Sequence, residues 1–340
     1  MMADAADRNS RPSLEKKMNT DTLEAVQLGN TTQWIRILGA DLSNPVLLLI
    51  QQGPGLPMIN EVRRFERALG IEEYFTVVYW DQRGCGRSLR APNARAEISL
   101  DRMVGDTVSL LEILKDRFGK SAFVAGFSLG ATIGLYATAQ RPDLVETLIA
   151  VGPDIDGVAA GNSAYDFALD TARQRGNKRA IRQLESIGPP PHLDAKRFGT
   201  RVRWASNFGG VTHDQSYGAV VRTLLASLLR SSDYAAGDVL RTVRGITATQ
   251  AALLPEMAEL DLANTVSHLD VPLVMVQGRL DRVAPDEAAQ RYFDTVEAPS
   301  KELVWFEKSA HTPQLEEPDK FRELLVQVRM TRGSFSREQS

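Results

Sequence analysis

Short apolar runs alternate with amphipathic ones along most of this chain. Val46–Ile50 is an unbroken aliphatic run, the pattern of a strand buried on both faces. Residues 59–69 then show helical spacing, and 75–80 read as a second buried strand. Met103, Val104, Val108, Leu111 and Leu114 recur at three- and four-residue intervals, which predicts a helix ending near Gly119. A short strand over 122–125, a helix of small residues over 131–139 and a strand over 144–151 follow. After a long interruption the alternation resumes with strand 273–277, helix 286–296, strand 302–306 and helix 321–328. Strands alternating with helices imply an α/β fold, with a mostly parallel central sheet covered by helices on both faces.

The interruption, 153–269, carries little β-type patterning. Helix-like stretches at 165–175, 220–229 and 249–260 are broken by Pro189-Pro190-Pro191 and Gly209-Gly210. They predict a helical cap over the strand ends. Such a cap could serve as a lid, because the ligand crevice of a parallel sheet opens at the carboxyl ends of its strands; a purely structural insertion is the alternative. The core domain is then 20–152 together with 270–330. Residues 1–19 are polar and aperiodic and read as a disordered tail, in which Met18 is either an alternative start or a tail residue. Residues 331–340 read as a second, loose tail, and no internal repeat is evident.

Composition narrows the class. With 340 residues, 43% of them apolar and 24% charged, the chain can fill a core without disulfides or a structural metal. A net charge of −3 argues against nucleic-acid binding, and the Arg-rich stretch 173–182 reads as a solvated helix face. Cys85 is the only cysteine, which excludes an intrachain disulfide and a cysteine zinc cage. No apolar run reaches the roughly 20 residues that span a bilayer, and the segment up to Lys17 lacks a signal-peptide core. The default expectation is a cytoplasmic protein acting on a small molecule, with no cofactor, metal, nucleic acid or membrane partner. The oligomeric state is not set by the sequence.

Gly126-Phe127-Ser128-Leu129-Gly130 fits G-x-S-x-G between a predicted strand and a predicted helix. In that context the sharp turn exposes the serine hydroxyl, and the flanking glycines prevent collision. Gly134, one turn on, lets the helix approach the sheet. A serine hydroxyl needs a base. Of four histidines, His192, His213 and His268 lie in or beside the insertion, whereas His311 follows the last predicted strand, where elbow enzymes carry their base. Asp281, at the preceding strand end, is the preferred acid to orient His311. Asp286 suits a helix start after Pro285, while Asp154 and Asp156, after an earlier strand, remain rivals. The Leu129 amide and Gly53, in Gln51-Gln52-Gly53-Pro54-Gly55, are candidate oxyanion donors.

These residues together resemble the α/β-hydrolase superfamily, and more closely its proline-iminopeptidase-like branch. Trp80-Asp81-Gln82-Arg83-Gly84-Cys85-Gly86-Arg87-Ser88 is similar to that branch's D-Q-R-G-x-G-x-S segment, as is the stretch through Trp305-Phe306 and Glu316-Glu317-Pro318. The resemblance covers 25–152 and 268–329. It implies a loop position for Cys85 and a bracing role for the Asp81–Arg83 pair. Two features depart from it. Gln51 and Gln52 replace the first two positions of H-G-G-P-G, and Gln52 puts a side chain where substrate would lie. The counterpart of the branch's amine-binding W-x-x-W-E segment, Arg203-Trp204-Ala205-Ser206-Asn207-Phe208, lacks the glutamate, with Glu256 and Asp261 as possible substitutes.

The expected activity is hydrolysis of an ester or lactone of a bulky apolar molecule, such as a macrolactone, through an acyl-enzyme. Gln52, Phe127 and Trp204 are the candidate substrate contacts. The alternatives are a proline-iminopeptidase-like aminopeptidase and a non-catalytic small-molecule receptor on the same fold.

Overall fold

A computed structural model describes residues 20–93, 95 and 97–335. Eight strands run in chain order: β1 Thr20–Leu28, β2 Thr31–Gly39, β3 Val46–Ile50, β4 Thr76–Asp81, β5 Ala122–Phe127, β6 Val145–Val151, β7 Leu273–Gly278 and β8 Lys301–Phe306. They form one sheet in the order β1-β2-β4-β3-β5-β6-β7-β8. The pairs β1–β2 and β2–β4 are antiparallel, and every later pair is parallel.

The helices are α1 Val62–Leu69, α2 Leu100–Phe118, α3 Leu129–Gln140, α4 Gly157–Gln174, α5 Lys178–Ile187, α6 Ala195–Asn207, α7 Tyr217–Arg230, α8 Ala236–Ala258, α9 Leu262–Thr265, α10 Asp286–Thr295, α11 Pro313–Glu316 and α12 Pro318–Phe335. The expected disorder of 1–19, Met18 included, falls outside the described residues. The loose tail expected from Thr331 needs correction, because α12 continues to Phe335.

The unbroken apolarity of β3 follows from its place in the middle of the sheet. Val46, Leu48 and Ile50 point into a core shared with α2, α3 and α10, whereas Leu47 and Leu49 point to the opposite face, against α1 and α12. Each leucine so buried stabilises the fold by roughly 1.5–3 kcal/mol before entropy is counted. The hairpin β1–β2 was not among the expected strands. Its two runs are joined by Gly29-Asn30, with Gly29 at φ +55°, a turn residue pair that suits a two-residue hairpin.

The helices from α4 to α9 occupy the chain between β6 and β7, where the sequence predicted a helical insertion. A small core of their own, built on Tyr165, Leu169, Leu184 and Trp204, holds α4, α5 and α6 together. The long α8 sits instead on the loop after β4: Thr249 Oγ1 donates to the Gly84 carbonyl at 3.1 Å, and Arg90 pairs with Asp238.

That loop also corrects one expectation. Asp81 and Arg83 do not pair. Asp81 accepts from the Met58, Ile59 and Arg87 amides and from the Tyr234 hydroxyl, at 2.5–3.0 Å. Arg83 turns to the other side and makes a two-pronged bond to Asp106 at 2.8 and 3.0 Å, with both side chains buried. Both brace the loop, but one joins it to the inserted helices and the other joins it to α2.

Candidate active site

The chain crosses from β5 into α3 at Ser128, which stands at φ +53° and ψ −126°. A non-glycine residue rarely adopts such a positive φ, and here it throws the side chain clear of the strand. The flanking glycines are required by contact. A Cβ on Gly126 would lie 2.4 Å from the Gly130 carbonyl oxygen, and one on Gly130 would lie 2.2 Å from that of Gln51. The second figure shows that the loop after β3, with Gly53 in it, packs directly on the elbow. Leu129 opens α3, so its amide is among the first-turn donors that have no partner within a helix.

Three predicted residues from three strand ends come together. Ser128 Oγ is 2.8 Å from His311 Nε2, and His311 Nδ1 is 2.7 Å from Asp281 Oδ2. Asp281 is fully buried. Its Oδ1 accepts from the Val283 and Ala284 amides at 2.8 and 2.9 Å, and Gln277 Nε2 lies 3.3 Å from its Oδ2. Burial works against protonation of His311, yet the charge and hydrogen bond of Asp281, aided by Asp154 and Glu316, raise its pKa to about 8.

The rival acids separate clearly. Asp156 caps α4 through the Ala159 amide at 2.8 Å, and Asp286 begins α10 as predicted. Asp154 stays in the site: its Oδ2 lies 3.4 Å from Ser128 Oγ. Burial pushes the pKa of Asp154 up to about 6, against the pull of His311 and with a push from Asp281. The suggested amine-binding substitutes are committed elsewhere. Glu256 accepts from the Leu100 amide at 2.8 Å, and Asp261 caps α9.

Beside the elbow opens a cavity of about 120 Å³, lined by Gln51, Gln52 and Phe127 and by apolar side chains that include Leu56, Met58 and Leu224. Of the three expected substrate contacts, Gln52 and Phe127 line this cavity. Trp204 does not, and that expectation is corrected. It is buried among the inserted helices, stacked on Phe208 with centroids 5.6 Å apart, and its Nε1 donates to Gln183 at 3.0 Å. An amphipathic residue in a small helical unit is consumed by that unit's own core. Cys85 is a buried loop residue, and burial holds its thiol pKa well up, which leaves little thiolate.

Two supports went unread in the sequence. Glu316 Oε2 accepts from Ala310 N, Thr312 N and Thr312 Oγ1 at 3.0–3.2 Å, so it holds the His311 loop on both sides of the ring. The segment after α6 reaches down to the same place: the His311 amide donates to the Val211 carbonyl at 2.9 Å, and that of Arg282 to Gly210 at 3.0 Å. The pair Glu316-Glu317 just after the histidine was the available signal for the first. The second depends on tertiary contact alone.

Comparison with known proteins agrees with this architecture. The family profile described as serine aminopeptidase, S33, matches residues 71–319. A relative, the probable aminopeptidase YbaC of Bacillus subtilis (strain 168), is 30% identical over 314 residues, covering 92% of this chain and 97% of its own. The pimeloyl-(acyl-carrier protein) methyl ester esterase of Vibrio vulnificus (strain YJ016) is 24% identical, over 74% of this chain and 82% of its own. Among solved structures, proline iminopeptidase of Mycobacterium smegmatis superposes with a TM-score of 0.64 at 17% identity, over 93% of this chain and 100% of its own. With a family profile spanning most of its length and a relative matched almost end to end, this chain belongs to the serine aminopeptidase, S33, family of α/β-hydrolases.

Proposed function

We propose that this protein hydrolyses a carboxylic ester or lactone through an acyl-enzyme, with Ser128, His311 and Asp281 as its catalytic residues. The observation that carries the reading is the unbroken chain from Ser128 Oγ to His311 at 2.8 Å and on to Asp281 at 2.7 Å. His311 Nε2 takes the hydroxyl proton as Oγ bonds to the carbonyl carbon. The Gly53 and Leu129 amides hold the oxyanion. The bond to the leaving oxygen then breaks, and His311 returns the proton to that oxygen. Water, deprotonated by the same nitrogen, attacks the acyl carbon; the bond to Oγ breaks, His311 returns the proton to Oγ, and the acid and Ser128 are released.

An ester is favoured over an amide because an alkoxide leaves with less assistance than an amine, and because the cap lacks the amine-binding glutamate at Asn207. The mostly apolar lining of the cavity at Phe127 favours an apolar acyl or alcohol group, and the helices α4 to α9 act as its cap. Family membership, and the aminopeptidase name carried by the Bacillus relative, favour a second reading as an aminopeptidase. The two separate on nitrophenyl acyl esters against prolyl nitroanilide. Rapid nitrophenol release with no nitroaniline is the expected result, and comparable turnover of the anilide would overturn the ester preference.

A further inference from the structure

Three glutamines line the cavity beside Phe127. Gln51 and Gln52 come from the loop after β3, and Gln314 comes from α11, just past His311. Thr212, Thr312 and Glu61, also on the wall, spend their polar atoms within the protein. The two hydroxyls donate to the Gln215 carbonyl and to Glu316, and Glu61 accepts from Asn60 and Arg64.

Two of the glutamines are not so satisfied. Gln51 and Gln314 are each 2% exposed. Gln51 Oε1 accepts from the Cys85 thiol at 3.6 Å, while its Nε2 has no acceptor among the described residues. Gln314 Nε2 donates to Gln52 Oε1 at 3.4 Å, while its Oε1 has no donor among the described residues. A buried donor or acceptor left unpaired is costly until a ligand or a water completes it.

The two open atoms are of opposite kind, and they lie beyond hydrogen-bond distance of each other, since neither has a partner. A secondary carboxamide carries an acceptor and a donor on neighbouring atoms that point in opposite directions, so it can serve both. A hydrocarbon chain serves neither, and an ether or ester oxygen serves only Gln51. We propose that Gln51 and Gln314 select substrates carrying a secondary carboxamide, distinct from the scissile ester, in the group that fills this cavity. The proposal rests on the acyl-enzyme reading of Ser128 and narrows its substrates to amide-bearing esters. Gln51 Nε2 donates to the amide oxygen, and Gln314 Oε1 accepts from the amide N–H. The departure of Gln51 from the H-G-G-P-G pattern then has a use in specificity.

A cavity of about 120 Å³ holds a short chain, so small amides serve as probes. Inhibition of 4-nitrophenyl acetate turnover by N-ethylpropanamide and by its N-methyl derivative, which keeps the carbonyl and loses the N–H, tests the assignment. In the wild type the secondary amide should have the lower Ki, by about threefold to tenfold for the one hydrogen bond at stake. Gln314→Leu should bring the two Ki values together, and Gln314→Glu, which still accepts, should keep them apart. Gln51→Leu should raise both by about threefold to tenfold and preserve the ratio between them. Crowding by the extra methyl would leave the ratio intact in Gln314→Leu. That result, a ratio near one in the wild type, no inhibition by either amide, or Ki values unchanged in Gln51→Leu overturns the proposal and leaves the Ser128 reading standing. A wild type that fails to turn over 4-nitrophenyl acetate would instead remove the acyl-enzyme reading, and this proposal with it.

Discussion

Replacing Asp106 with alanine should cost much of the stability of the fold while touching nothing in the site. Its two carboxylate oxygens accept three bonds: from Gln33 Nε2 at 2.5 Å and from Arg83 Nε and Nη2 at 2.8 and 3.0 Å. All three residues are buried, and Gln33 in turn accepts from the Trp80 indole at 3.1 Å. Removal of the carboxylate takes two bonds from a buried guanidinium, which keeps the one to Asn30 at 2.9 Å. Breaking one side of a buried pair costs about 3–5 kcal/mol, set against about 5–15 kcal/mol for a whole domain. Urea unfolding followed by circular dichroism should therefore show the midpoint falling by roughly 1–2 M. Arg83→Met combined with Asp106→Leu should recover most of the loss, since apolar residues of similar volume replace a buried pair at little cost. A midpoint shift under about 0.3 M for Asp106→Ala, or a double variant losing the sum of the two singles, would refute the reasoning.

Further outcomes follow from the same geometry. His311 must be neutral to accept the serine proton, so kcat/KM for an ester should rise with pH through about 8. The raised pKa also stabilises the fold, by about 2 kcal/mol below pH 6.5, an increment lost as the pH rises through about 8. Asp281→Asn should lower kcat by about four orders of magnitude and move the midpoint of any residual profile to lower pH. Gly130→Ala would place a Cβ 2.2 Å from the Gln51 carbonyl, so the loop carrying Gly53 must shift, and activity should fall about a hundredfold or more. Gly134→Ala meets only the end of Leu148 at 3.1 Å and should keep ester turnover within about threefold, as expected where only a flexible side chain must adjust.

The parallel half of the sheet was legible because burial on both faces writes itself as unbroken apolar runs, as in Val46–Ile50 and, within β4, Val77–Trp80. The antiparallel hairpin was not, although Thr31, Gln33, Ile35 and Ile37 alternate as a one-sided strand should. Two polar residues on its buried face, Thr31 and Gln33, mask the period. Helix α5 was hidden similarly: among its lysine and arginines only Ala180 and Leu184 are buried, which left 173–182 reading as a solvated face. For the site, chain order brought out Ser128, Asp281 and His311, because each follows its strand directly. What chain order could not supply was distance. Asp154 and Asp156 are two residues apart, yet one lies beside the serine and the other caps a helix. Trp204 failed for a related reason, since its position within the insertion says nothing about which face of α6 turns toward the cavity.

The central claim is that Ser128 is a nucleophile activated by His311. Intact-mass measurement after exposure to a fluorophosphonate tests it most directly. The wild type should gain the mass of one phosphonyl group, mapped to the peptide containing Ser128. His311→Ala should label far more slowly, and Ser128→Ala should not label at all. A wild type that stays unlabelled at pH 8 and above, or a Ser128→Ala variant that labels as fast as the wild type, would contradict the account.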